Sequence, residues 1–139
     1  TCLAALGERF AKFGLALHPE KTRLIAFGRY AEERRAQRGD GPPETFDFLG
    51  FTYISGKTRR GDFTIHRKTS RKKFQAKLAD LKEQLLRRRH DDLAQVGAWL
   101  QSVFRGWSLY YAVPGNYTRL RQFREAIQAM WLRTLRRRS

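Results

Sequence analysis

Histidines, cysteines and paired carboxylates hold metals and move protons, and this chain has few of them in useful patterns. His18, His66 and His90 share no ligand spacing, and Cys2 is the only cysteine. No zinc site can be argued from that set, and no disulfide framework exists within the chain. Asp91 and Asp92 are adjacent. An aspartate pair that seats two divalent ions needs a strand and a tight turn beneath it. Here Arg87, Arg88 and Arg89 precede and a helical pattern follows, so Asp92 reads as a helix cap. No Gly-rich phosphate cradle of the Walker or dinucleotide type occurs. Lys21 lies in the loop His18-Pro19-Glu20-Lys21-Thr22 and, taken alone, reads as a surface lysine in a hairpin turn.

Positive charge is the chemistry that is abundant. Lys and Arg number 29 against 13 Asp and Glu, a formal net charge of +16. Residues 1–56 hold 8 basic and 7 acidic side chains, whereas residues 57–139 hold 21 and 6. Almost the whole field therefore belongs to the second part. Arg outnumbers Lys 21 to 8, and the guanidinium fork matches phosphate oxygens two at a time, which points to a nucleic-acid partner. The densest run is "GKTRRGDFTIHRKTSRKK", residues 56–73, with eight basic residues and one acid. Lys57, Arg59, Arg60, Arg67, Lys68, Arg71, Lys72 and Lys73 would follow a sugar–phosphate backbone without reading sequence. A second candidate is "FRGWSLYYAVPGN", residues 104–116. Arg105 and Tyr110 can stack on unpaired bases, while Trp107 and Tyr111, four apart on the apolar stripe, are expected in the core. Arg136, Arg137 and Arg138 add a terminal cluster.

The elements that must position these residues follow from period. Leu3, Leu6, Phe10 and Phe13 are helically spaced, with Gly14 as a stop. Residues 15–17 and 23–27 read as short strands around the Pro19 loop. Residues 29–45, charged and rich in Gly and Pro, read as a surface loop with at most a frayed helical turn. "FDFLGFTYI", residues 46–54, is β-prone with a bulge or bend at Leu49-Gly50, and residues 63–66 return as a strand. From residue 69 the period becomes helical. Thr69 or Ser70 caps a helix with Phe74, Leu78, Leu81 and Leu85. Asp92 caps one with Val96, Leu100, Val103, Phe104 and Trp107. "VPGN", residues 113–116, breaks the pattern, and Thr118 opens a third helix with Leu120, Phe123, Ile127, Met130 and Trp131. The expected class is α+β: a small antiparallel sheet with one helix over residues 1–66, then a three-helix bundle over 67–139. No run approaches the length of a membrane helix, and a reducing, cytoplasmic setting is expected from the lone cysteine.

"FGLALHPEKTRLIAFGRYA", "FDFLGFTYISGKTRRGDFTIHRKTSRKK", "FRGWSLYYAVPGN" and "LRTLRRRS" resemble, in that order, the C-terminal half of group II intron-encoded reverse transcriptase/maturases. The resemblance covers nearly the whole chain. It implies that residues 1–66 are the end of a polymerase palm and that 67–139 are the thumb, or maturase-specific X domain, which binds intron RNA and supports splicing. Phe48, Leu49, Gly50 and Phe51 look like the segment that grips the primer end. Lys21 matches a late-palm lysine that, in a complete enzyme, would protonate departing pyrophosphate.

The same resemblance puts the fingers, most of the palm and the Tyr-Ala-Asp-Asp-type aspartates upstream of Thr1. The chain would then be a fragment without polymerase activity of its own. It needs no cofactor, since Mg²⁺ belongs to the complete parent enzyme. Group II intron RNA is the expected partner, with an RNA/DNA duplex as a second. Two other readings stay open: one half of a split RNA-directed DNA polymerase, paired with a separate N-terminal half, and a nonspecific nucleic-acid binder.

Overall fold

The computed structural model describes residues 1–138. Among them are five helices and one three-stranded antiparallel sheet, so the chain mixes helix and sheet in the α+β manner. It divides into two compact units, Thr1–Glu44 and Thr45–Ser139.

In the first unit, α1 (Cys2–Ala11) starts where the Thr1 hydroxyl accepts from the Ala4 amide at 3.4 Å. It ends as its glycine signal predicts. Gly14 sits at φ 68, its amide donates to Ala11 C=O, and the Leu15 amide reaches back to Phe10 C=O at 3.0 Å. This pair of return bonds needs a left-handed residue, which glycine supplies without a Cβ clash. The strands expected at 15–17 and 23–27 do not form. The loop between them is a turn in which His18 C=O accepts from the Lys21 and Thr22 amides at 3.2 and 2.9 Å. Runs this short bury too little to hold a two-stranded ladder, and Leu15 and Leu24 are exposed. The charged stretch expected as a loop instead carries α2 (Ala31–Gln37). Glu32 and Glu33 in its first turn and Arg34 and Arg35 in its last complement the helix dipole.

In the second unit, β1 (Phe46–Phe48), β2 (Phe51–Lys57) and β3 (Phe63–Thr69) lie in the order β1-β2-β3. The bend expected inside one strand is a complete reversal. Leu49 (φ 49) and Gly50 (φ 84) form a two-residue turn that pairs Phe48 with Phe51. Positive φ at both central positions is the type I′ geometry, whose twist matches that of paired strands. The alternation of the sheet puts Phe46, Phe51 and Tyr53 on one face, with Phe46 stacked on Tyr53 at 5.0 Å.

Three helices follow: α3 (Arg71–Arg87), α4 (Leu93–Tyr111) and α5 (Tyr117–Arg136). Their apolar stripes meet in a core of Phe74, Leu81, Leu85, Val96, Leu100, Trp107, Phe123 and Ile127, joined by Phe51 of the sheet. The Trp107 ring lies 3.9 Å from Phe123 and 4.5 Å from Tyr111. Burial of each such ring contributes about 1.5–3 kcal/mol. The helix expected from Thr118 begins at Tyr117, after the cap residue Asn116. The sheet belongs to the same compact unit as the helices, whereas the positive charge of the sequence concentrates after residue 56 and its helical period begins at residue 69.

Candidate nucleic-acid interface

The basic run 56–73 occupies a hairpin and the helix entrance that follows it. The β2–β3 turn is closed by Thr58. Its amide donates to Asp62 C=O at 2.8 Å, and its hydroxyl accepts from the Arg60 and Asp62 amides at 3.3 and 3.2 Å. This turn holds Arg59 and Arg60 out at the tip, both exposed. Arg67 and Lys68 are exposed near the end of β3, and Arg71, Lys72 and Lys73 form the exposed first turn of α3. None of these seven cations has a carboxylate partner among the described residues; the ion pairs lie elsewhere, at Lys77–Asp80, Glu83–Arg87, Arg88–Asp91 and Arg121–Glu125. Lys57 is exposed at the end of β2.

Ser70, the N-cap of α3, does not cap with its side chain. Its hydroxyl donates to the Asp47 carboxylate at 3.0 Å, and its amide donates to Gly50 C=O at 2.8 Å. The Asp47 carboxylate also accepts from the Thr52 hydroxyl. The Leu49-Gly50 turn is thereby tied to the start of α3, next to Arg71. The first-turn amides of α3 receive no side-chain cap and can face an anion.

The segment likened to a primer grip is split by burial. Phe48 and Leu49 are 58% and 66% exposed, while Phe51 is buried against the Tyr110 and Tyr111 rings. A Cβ on Gly50 would lie 2.6 Å from the Tyr111 hydroxyl oxygen, so no side chain fits there without displacing the tyrosine. Burial pushes the Tyr111 phenol above its ordinary range. Tyr110 is half exposed, but its hydroxyl donates to Leu49 C=O at 2.5 Å, so its polar end holds the turn. Arg105 is exposed. Trp107 and Tyr111 are buried, as their spacing predicts.

Asn116 was legible only as part of a helix break, yet it joins three elements. It is 1% exposed. Its Oδ1 accepts from the Thr69 amide at 2.9 Å, and its Nδ2 donates to Thr69 Oγ1 at 2.7 Å and to Tyr111 C=O at 2.9 Å. This bonding fixes the start of α5 beside β3 and makes a polar recess of about 250 Å³ lined by Lys68, Thr118, Arg119 and Gln122. Arg119 thus joins the basic surface. Its guanidinium lies 5.1 Å from the centre of the Phe74 ring and donates to Gln122. Its isolated place in the sequence carried no signal, because only the fold brings it next to Lys68.

The terminal arginines separate by role. Arg138 donates to Arg88 C=O at 3.0 Å and so satisfies the end of α3. Arg136 and Arg137 are exposed. Lys21 is exposed in its turn and belongs to the Thr1–Glu44 unit.

Asp92 accepts from the Gln95 amide at 3.1 Å, the cap its position predicts, and Asp91 stands 4.0 Å from Arg88. Neither is arranged to hold a divalent ion. Among the described residues no cluster of three His, Cys, Asp or Glu side chains could hold a metal ion. No helix among them is long and apolar enough to cross a membrane.

No family model, no curated protein and no solved structure matches this chain.

Proposed function

We propose that this chain binds structured RNA and is a maturase-type segment that assists the folding and splicing of a group II intron. The observation that carries the reading is the set of seven exposed cations, from Arg59 to Lys73, without carboxylate partners among the described residues, on one hairpin and the helix entrance it leads into. Unpaired cations are free to displace counterions from a phosphate backbone. The order of the motifs supports the family, since the "FDFLGF", basic-hairpin and "FRGWSLYYAVPGN" segments meet in one compact unit. On this reading the sheet is the edge of a palm and the three helices are the thumb/X domain, in a cytoplasmic ribonucleoprotein. Phe48 and Leu49 would contact a duplex end, with Arg71, Lys72 and Lys73 on the neighbouring phosphates. Binding, rather than nucleotide transfer, is the role assigned to these residues.

The test is binding of the purified chain to a structured group II intron RNA and to an unrelated RNA of equal length, over a salt series. The expected result is retention of the intron RNA at salt that releases the other. Equal affinities with equal salt slopes would reduce the reading to a nonspecific binder driven by charge.

A further inference from the structure

At the far end of the bundle from its basic hairpin, α3 and α5 finish side by side. Two adjoining recesses, of about 150 and 430 Å³, lie between their last turns and share Leu85, Leu86, Thr134 and Arg137. The floor is aliphatic: Leu85, Leu86 and Met130, with Leu86 49% exposed. The rim is cationic, and no acidic side chain lines either recess among the described residues.

Part of the positive charge at this end has an internal duty. Arg87 pairs with Glu83, Arg88 with Asp91, and Arg138 donates to the carbonyl of Arg88, the C-cap of α3, where cations offset the negative helix end. Among the described residues, Lys82, Arg133 and Arg137 have no such partner. Three unpaired cations around an aliphatic trough favour an occupant that is both apolar and acidic. RNA would satisfy the cations but leave the aliphatic floor facing sugar and phosphate, and the one ring at the trough among the described residues, the His90 imidazole at its edge, accepts a hydrogen bond from Arg89. An amphipathic helix satisfies both, by laying its apolar stripe in the groove.

We propose that the groove between the ends of α3 and α5 docks an acidic amphipathic helix of a partner protein. Its apolar side chains would lie on Leu85, Leu86 and Met130, and its carboxylates would meet Lys82, Arg133 and Arg137. The site goes beyond the RNA-binding reading and stands independently of it.

The experiment is fluorescence anisotropy on the full chain. The probe is a labelled peptide helix with leucines on one stripe and glutamates beside them. The first control is the same peptide with serines for the leucines, and the second is a mixed-sequence single-stranded RNA. The leucine peptide is expected to bind at least about tenfold more tightly than the serine peptide, a gap of about 1.4 kcal/mol. Leu86→Asp should close that gap while leaving RNA affinity within about twofold, and Arg137→Glu should weaken the leucine peptide further. Leu86 is half exposed, so its variant should fold, as circular dichroism and an unchanged melt would verify; Arg137→Glu, on an exposed side chain, gives a second variant. Equal binding of the two peptides, or a gap that survives both substitutions, would overturn the proposal. So would a Leu86→Asp loss of RNA binding as large as the loss of peptide binding, which would give the groove to nucleic acid.

Discussion

Asn116 shows how one side chain can decide the geometry of a surface. It uses its oxygen and both amide hydrogens on Thr69 and Tyr111, at 1% exposure. Asn116→Ala would leave the Thr69 amide unsatisfied in the interior, while Tyr111 C=O keeps the Val113 amide, at a cost of about 1–3 kcal/mol. Urea denaturation should show that loss as a lower midpoint with an unchanged slope. The same variant should loosen Lys68 and Arg119 relative to each other. Gly50 is the second such position. It stands at φ 84, and any Cβ there would press on the Tyr111 hydroxyl. Gly50→Ala combines a left-handed backbone with a clash and should cost about 1–3 kcal/mol, measurable in the same titration. Leu49, also left-handed at φ 49 and largely exposed, contributes little to the core, and its neighbour Gly50 carries the steric demand of the turn.

At the scale of elements, the helices stop and start where local chemistry dictates. Asp92 caps α4 through the Gln95 amide, so Asp92→Ala should lower stability by about 1 kcal/mol. The exposed Glu83–Arg87 pair spans one helical turn, and Glu83→Ala should cost less than about 0.5 kcal/mol. A thermal melt of the two variants side by side would rank cap above ion pair; the reverse order would mean that Asp92 is not the group that holds the start of α4. The helices of the second unit were legible because their stripes repeat at the helical period and their caps are polar. The strands at 15–17 and 23–27 were misread because a short apolar run does not specify a partner. The helix at 31–37 was missed because its signal lay in the order of its charges, acids first and arginines last, rather than in an apolar face. The Leu49-Gly50 reversal was read as a bend because a leucine is an unusual occupant of a type I′ turn.

At the scale of the whole molecule, charge placement governs partner choice. The triple variant Arg71→Glu, Lys72→Glu and Lys73→Glu alters exposed positions only, so the fold should persist. If these residues lie on RNA phosphates, the dependence of log K on log salt should flatten by about one unit for each phosphate no longer neutralised. A salt slope equal to that of the unaltered chain would move the interface elsewhere.

The sequence by itself determined the positive field, its concentration after residue 56, the three amphipathic helices, the cap at Asp92 and the burial of Trp107 and Tyr111. Each of these depends on composition or on residues within a turn or two of one another, where local sterics and period are sufficient. Tertiary structure decided which cations share a surface. Arg119 joins Lys68 through Asn116, Tyr110 is committed to Leu49, and Lys82 meets Arg133 and Arg137 across a groove. Those pairings join residues distant in the chain, 61 positions apart for Tyr110 and Leu49. Only the collapse of the apolar stripes onto Phe123, Leu81 and Trp107 brings them together. Packing of the core, a long-range and cooperative event, fixes them.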